Sequence, residues 1–282
     1  MKADNISEKL SHVFEKCMQR VLEDAQKPRV FTGFPSLDKM TTGFVKESLV
    51  VIAGRPAMGK TAIALDIARN IAKEKTVVFF SLELLRQTLA LQLLQKNGLV
   101  DYQSWSKGNI SHNDVLAISK VLYNSHFRIF DNHDFTIREM QKLCESADNL
   151  GAVIIDSFRL IDRHAYHTDN KHCNGFVYSL ISRDLKLMAQ ELNVPVICTV
   201  SLGRQIEHRK DKRPVLKEDL REFGSLEQDA DQILLLYRDR YYNPDTPLGE
   251  IAECIVSKNR YGDCGTVELL WNPARYSFSE TK

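Results

Sequence analysis

Gly54, Arg55, Pro56, Ala57, Met58, Gly59, Lys60 and Thr61 spell G-x-x-x-x-G-K-T, a spacing suited to holding phosphate. The glycines let backbone N–H groups turn inward around an anion, and a following helix adds the positive end of its dipole. In such a loop the lysine reaches the β- and γ-phosphates and the threonine hydroxyl ligates Mg²⁺. The setting agrees. Residues 48–53 form an apolar run that reads as a buried strand, and 62–73 read as a helix with Ile63, Ile67 and Ile71 on one face. Strand, loop and helix together imply a nucleoside triphosphate held by Gly54 through Ala62, where an isolated match would imply only a Gly-bounded turn.

Two carboxylates could complete that chemistry. Asp156 ends the apolar run 151–156, and a carboxylate at that end of a strand beside the phosphate loop holds Mg²⁺ through water. Glu83 follows the run 76–81, where it would orient and polarise an attacking water. It would equally suit the first turn of a helix, where the dipole favours an acid; the two roles are compatible. A further constellation, His164, His167, His172 and Cys173, lies among Asp162, Thr168, Asp169, Asn170 and Lys171. Lacking tightly paired ligands, it reads as a polar loop rather than a metal site.

These groups need a scaffold, and the pattern supplies one. Residues 76–81, 127–130, 151–156, 194–201 and 232–237 read as strands. Between them lie helical stretches: one closed by Gly98, a short one opened by Ser111 and Asp114, one opened by the capping box Thr136/Glu139, and a long one over 176–192. Runs apolar on both faces and joined by helices predict a mostly parallel sheet covered on both sides. The tail differs: 251–257, 266–271 and 275–279, separated by turns, predict an antiparallel extension. Residues 5–25 predict a separate amphipathic helix with Ile6, Leu10, Phe14, Cys17 and Val21 on one stripe, broken off by Pro28. The expected division is an N-terminal helix and connector over 1–28 and one α/β domain over 29–282.

Composition bounds the rest. With 282 residues and 43% hydrophobic content the chain can bury a large core. A formal net charge of +1 leaves any grip on nucleic acid to a local patch, of which 208–213 (His-Arg-Lys-Asp-Lys-Arg) is the basic candidate and a solvated charged face the plain alternative. No apolar run approaches the roughly 20 residues that span a bilayer, and the charged start has no signal-peptide core. The six cysteines form no C-x-x-C pair and read as small buried hydrophobes in a reducing compartment. A cytoplasmic protein without a membrane segment is the expectation.

The runs 54–61, 81–83, 155–156, 191–195, 212–214 and, most specific of all, 219–231 (DLREFGSLEQDAD) resemble the C-terminal motor domain of DnaB-type replicative helicases over about residues 30–280. Residues 257–262 followed by 265–267 fit the same family. The resemblance implies a RecA-like P-loop fold, ATP and Mg²⁺ as ligands, and a hexameric ring that moves along single-stranded DNA during replication, with a primase or helicase loader as partner. Residue by residue it makes Lys60 and Thr61 the P-loop pair, Glu83 the catalytic base and Asp156 the Mg²⁺ aspartate. Arg260, with Lys258 beside it, becomes an arginine finger for a neighbouring subunit; read without the resemblance, Arg260 is an exposed turn residue. Arg221, Glu222 and Gly224 fall in the DNA-contacting loop. Residues 5–25 match the linker helix that docks on the adjacent subunit, and the family's N-terminal collar has no counterpart here. Two positions depart from the pattern. Ser201 stands where the family carries a γ-phosphate-sensing Gln, and Arg159 where Tyr-Leu-Gln-Leu normally follows the aspartate. Two alternatives stay open: a member that binds ATP and DNA as an assembly or loading partner without unwinding, and a RecA-like recombination ATPase, against which 219–231 and Arg260 argue.

Overall fold

The computed structural model describes residues 14, 15, 18, 28–96, 126–163, 166 and 174–281. The helix expected after Ser111, the helix end at Gly98 and the cluster from His164 to Cys173 lie outside the described residues. Of the expected linker helix only Phe14, Glu15 and Met18 are described. All three are helical, and Phe14 and Met18 are exposed.

β1 (Arg29–Val30) pairs antiparallel with β2 (Phe44–Val45) around α1 (Pro35–Thr41). The Asp38 carboxylate organises this corner, accepting from the Thr32 N–H (2.8 Å), the Thr32 hydroxyl (2.8 Å) and the Gly33 N–H (3.0 Å). Pro35 pre-sets the first turn of α1. The corner is additional to the elements that periodicity predicts, since two-residue strands are too short to show a period.

β3 (Leu49–Gly54), β4 (Thr76–Ser81), β5 (Phe127–Phe130), β6 (Leu150–Asp156), β7 (Val196–Ser201) and β8 (Gln232–Tyr237) run parallel in the order β8-β3-β7-β6-β4-β5. β9 (Ile251–Asn259), β10 (Gly265–Asn272) and β11 (Ser277–Glu280) continue the same sheet antiparallel beyond β8. This is the expected parallel sheet with its antiparallel extension. α2 (Lys60–Ile71) and α3 (Arg86–Lys96) cover one face, α4 (Ile137–Glu145) and α5 (Asn174–Leu192) the other. α4 opens on the expected capping box between Thr136 and Glu139.

The period-two alternation of β3 divides the core. Val50 and Ile52 face α2, packing with Ile63, Ile67 and Phe79, while Leu49, Val51 and Ala53 face α5 with Ile181, Leu185 and Phe80. Each large side chain buried this completely contributes about 1.5–3 kcal/mol. The antiparallel strands add only their inward residues to the α2 side, among them Cys254, Leu269, Trp271 and Phe278. Phe278 reaches the phosphate loop itself. Gly59 has φ 97°, and a Cβ there would lie 2.7 Å from the Phe278 ring, so glycine is required twice over at this position.

Beneath the loop lies a fully buried ion pair. Lys96 of α3 meets Asp66 of α2 at 3.0 Å with both side chains 0% exposed. Lys96 Nζ also donates to the carbonyls of Ala62 (3.0 Å) and Tyr276, and the Phe278 N–H donates to Asp66 (2.8 Å). Burial pushes Lys96 down to about 8 and Asp66 above the usual carboxylate range. The pair fastens α2, α3 and β11 together.

Candidate functional site

β3 ends at Gly54 and α2 begins at Lys60, so residues 55–59 form a tight loop at the carboxyl edge of the parallel strands. Met58 N–H closes it on the Arg55 carbonyl (3.3 Å), and Ala57 and Gly59 both take positive φ. Lys60 Nζ donates to the Arg55 carbonyl at 3.1 Å. Burial is the largest influence on this ammonium and lowers it below the usual lysine range, while the charges of Asp156 and Glu83 push it back up.

Asp156 gathers four elements. Its carboxylate accepts from the Thr61 hydroxyl (2.7 Å) and from Thr199 of β7. Its carbonyl accepts from the N–H groups of Leu82 (2.7 Å) and Glu83 (3.2 Å) after β4. P-loop, β4, β6 and β7 are thereby locked around one buried carboxylate. The adjacent hydroxyl and carboxylate oxygens of Thr61 and Asp156 are hard donors of the kind Mg²⁺ takes, so the residues present fit that ion.

Lys60, Thr61, Glu83 and Ser201 line one cavity of about 490 Å³, whose far wall is Arg238, Trp271 and Tyr276. The Arg238 guanidinium lies 4.5 Å over the Trp271 ring and donates to the Ala57 carbonyl (2.6 Å). Thr199, Arg238, Trp271 and Tyr276 are absent from the residues that sequence reasoning singles out. Thr199 had a signal, since it sits two before Ser201 on the same face of β7. The aromatic wall had none, because it comes from β10 and the turn after it. Arg55 turns away from the cavity, donating to the Leu202 carbonyl (2.6 Å) and pairing with Glu207.

Lys258 and Arg260 stand elsewhere. Gly54 is level with Leu236 of β8, whereas Asn259 is level with Gln232. Four residues of strand, about 13 Å, separate the two levels, so Arg260 occupies the opposite, amino edge of the sheet. Its guanidinium meets Asp231 at 3.3 Å and donates to the Gln228 carbonyl at 2.8 Å; Lys258 Nζ donates to the carbonyls of Glu227 (2.6 Å) and Gln228 (3.1 Å). Burial, then the charge of Arg260, lowers Lys258 below the usual lysine range.

Arg221, Glu222 and Gly224 come together in a turn against α5. The Phe223 ring is seated on Tyr178 and Phe158 at 5.8 and 5.9 Å. Gly224 has φ 63°, and a Cβ there would lie 2.3 Å from the Gly175 carbonyl, so this glycine is needed for the close approach to α5. Glu222 pairs with Arg159. Arg221, Arg204 and His208 border a second cavity of about 510 Å³. Much of the basic run 208–213 is engaged within the chain: Arg209 with Glu218 and Asp219 (2.9 and 2.7 Å), Arg213 with Glu253, and Lys212 with the Glu207 carbonyl.

Known proteins resemble this chain in sequence and fold. The family model for the DnaB-like helicase C-terminal domain matches residues 30–280. The replicative DNA helicase DnaC of Bacillus subtilis is 38% identical over 275 residues, covering 95% of this chain and 60% of the relative's length. The chain thus spans about 60% of that protein. The solved structure of a DnaB-like replicative helicase, described with its interactions with primase, superposes with a TM-score of 0.85 at 32% identity over 100% of this chain and 69% of that one. The RadB recombinase shares the fold alone, with a TM-score of 0.58 at 21% identity over 90% of this chain and 100% of that one. With its RecA-like sheet and the match over residues 30–280, the chain belongs to the DnaB-like helicase C-terminal domain family.

Proposed function

We propose that this chain is an ATP-hydrolysing DNA-helicase motor, assembled as a hexameric ring that translocates on single-stranded DNA during replication. One observation carries the reading: Lys60, Thr61 and Glu83 share a cavity with Asp156 locked onto Thr61, while Arg260 lies at the opposite edge of the same sheet. A nucleotide site built this way has its base and cation in one chain and takes its finger from the next.

In this account the N–H groups of 55–59 and the start of α2 hold the phosphates, and Lys60 neutralises the β,γ-oxygens. Glu83, held by the Asp156 carbonyl through its N–H, takes a proton from the attacking water. Thr61 and Asp156 would hold Mg²⁺, which supplies neutralisation of charge on the β- and γ-phosphate oxygens. Arg260 and Lys258 meet the γ-phosphate of the neighbouring subunit. Arg221, with its loop neighbours Glu222 and Gly224, faces DNA, gripping phosphates without sequence preference. The exposure of Phe14 and Met18 supports docking of residues 5–25 on the adjacent subunit. Contact with a primase is proposed from the likeness to the relative solved with its interactions with primase; a helicase loader is proposed as a further partner.

Single-stranded DNA should stimulate the ATPase of the wild-type chain, and the same preparation should unwind a forked duplex, with Lys60→Ala inactive in both assays. Stimulated hydrolysis without unwinding would assign the chain to the assembly-partner alternative instead.

A further inference from the structure

Phe158 and Arg159 belong to the single turn Phe158–Leu160 that follows Asp156. They meet two consecutive residues of the turn Arg221–Phe223. The Phe158 ring approaches the Phe223 ring at 5.9 Å, and the Arg159 guanidinium lies 4.9 Å over Phe223 while pairing with Glu222. Both phenylalanines are fully buried, and Tyr178 of α5 closes the group at 5.5 and 5.8 Å. The two turns are thus yoked, by a packed aromatic contact below and a charged one above. On the other side of the first turn stands Asp156, bound to Thr61, Thr199, Leu82 and Glu83. A displacement of Asp156 therefore carries directly to the 221–224 loop. The segment after β7 also touches the loop, where Gly203 lies against the Glu222 carboxylate, but through backbone rather than through the short Ser201 side chain.

The charges add a second effect. Glu222 adjoins Arg221, and an unpaired carboxylate there would repel a phosphate; Arg159 neutralises it. Both side chains are half exposed, 39% and 45%, and an exposed pair adds little to folding stability, so stability alone does not account for this contact.

We infer that Arg159 is a positioning residue that couples the nucleotide site to the 221–224 loop. This role rests on the motor function proposed above. The test compares Arg159→Gln and Arg159→Lys in the full chain, measuring basal and DNA-stimulated ATPase, the KM for ATP, and oligo-dT affinity with ADP and with a non-hydrolysable ATP analogue. Arg159→Gln should lower the ratio of stimulated to basal rate at least about threefold and shrink the difference in DNA affinity between the two nucleotides. Basal rate and KM should not move, and Arg159→Lys should retain most of the coupling. An unchanged ratio and an unchanged affinity difference in Arg159→Gln overturn the inference and leave the motor function standing. Equal loss of basal and stimulated rates in both variants marks a merely structural role and also overturns it. A wild-type chain that DNA does not stimulate removes the motor function, and this role with it.

Discussion

At the carboxyl edge of the parallel strands, Lys60 is 8% exposed and Thr61 and Asp156 satisfy each other, while Glu83 is exposed in the bend after β4. At the amino edge, Lys258 and Arg260 are held by backbone carbonyls of a single turn and by Asp231, and the Arg260 side chain is 49% exposed. One edge gathers Lys60, Thr61, Glu83 and Asp156 around a single cavity. The other carries two cations held by Asp231 and by the carbonyls of Glu227 and Gln228, with the Arg260 side chain half exposed. In the proposed motor, the two edges of one sheet divide the labour between holding a nucleotide and acting on a neighbour's.

The largest expected effect breaks that comparison at its outer edge. Arg260→Ala should lower turnover by ~10³–10⁵ in steady-state ATPase while the chain's own nucleotide affinity, read by fluorescent-nucleotide titration, stays near wild type. A loss smaller than tenfold would leave the amino edge without a part in hydrolysis. At the carboxyl edge, Glu83→Gln should retain ATP binding and lose roughly 10²–10⁴ in rate; wild-type turnover would remove Glu83 from the mechanism.

The next effect concerns what supports the inner edge. Lys96→Met leaves the buried Asp66 with only the longer pairing to Arg69 (3.8 Å) and the Phe278 N–H, which should cost about 3–5 kcal/mol of stability in urea unfolding. Adding Asp66→Leu should restore much of it, since the pair can be replaced by packing but not halved. Equal instability of the single and double variants would show that the polar contacts to Tyr276 and Phe278, rather than the charges, hold α2 against β11. The smallest effect is at Ser201. Ser201→Gln should raise the ratio of DNA-stimulated to basal ATPase by about two- to threefold, with nucleotide affinity unchanged. No rise would mean that the cavity wall at β7 takes no part in sensing.

The inner edge was largely legible in the sequence because its information is local. The loop 54–61 and the strands leading to Asp156 and Glu83 each show themselves within a dozen residues, and the sheet follows from apolar runs of the right length. What pairs residues far apart was not legible. Phe278 against Gly59, Lys96 beneath Asp66 and the Arg238–Trp271 wall are contacts between segments whose meeting no period encodes. The basic run 208–213 shows the opposite failure: positive in sequence, it is largely answered in space by Glu218, Asp219 and Glu253. Arg260 was reachable only through resemblance. Its residues alone describe an exposed turn, and only the register of β8 with β9 shows how far it stands from Lys60.

The claim that the two edges serve different subunits is tested most directly by mixing Lys60→Ala with Arg260→Ala chains and measuring ATPase after subunit exchange. Each variant alone should be inactive, one for want of a site and the other for want of a finger. In mixed rings the intact Arg260 of one subunit can face the intact Lys60 site of its neighbour, and hydrolysis should return. Mixed assembly, confirmed by energy transfer between labelled chains, with activity no higher than in either variant alone would contradict the account.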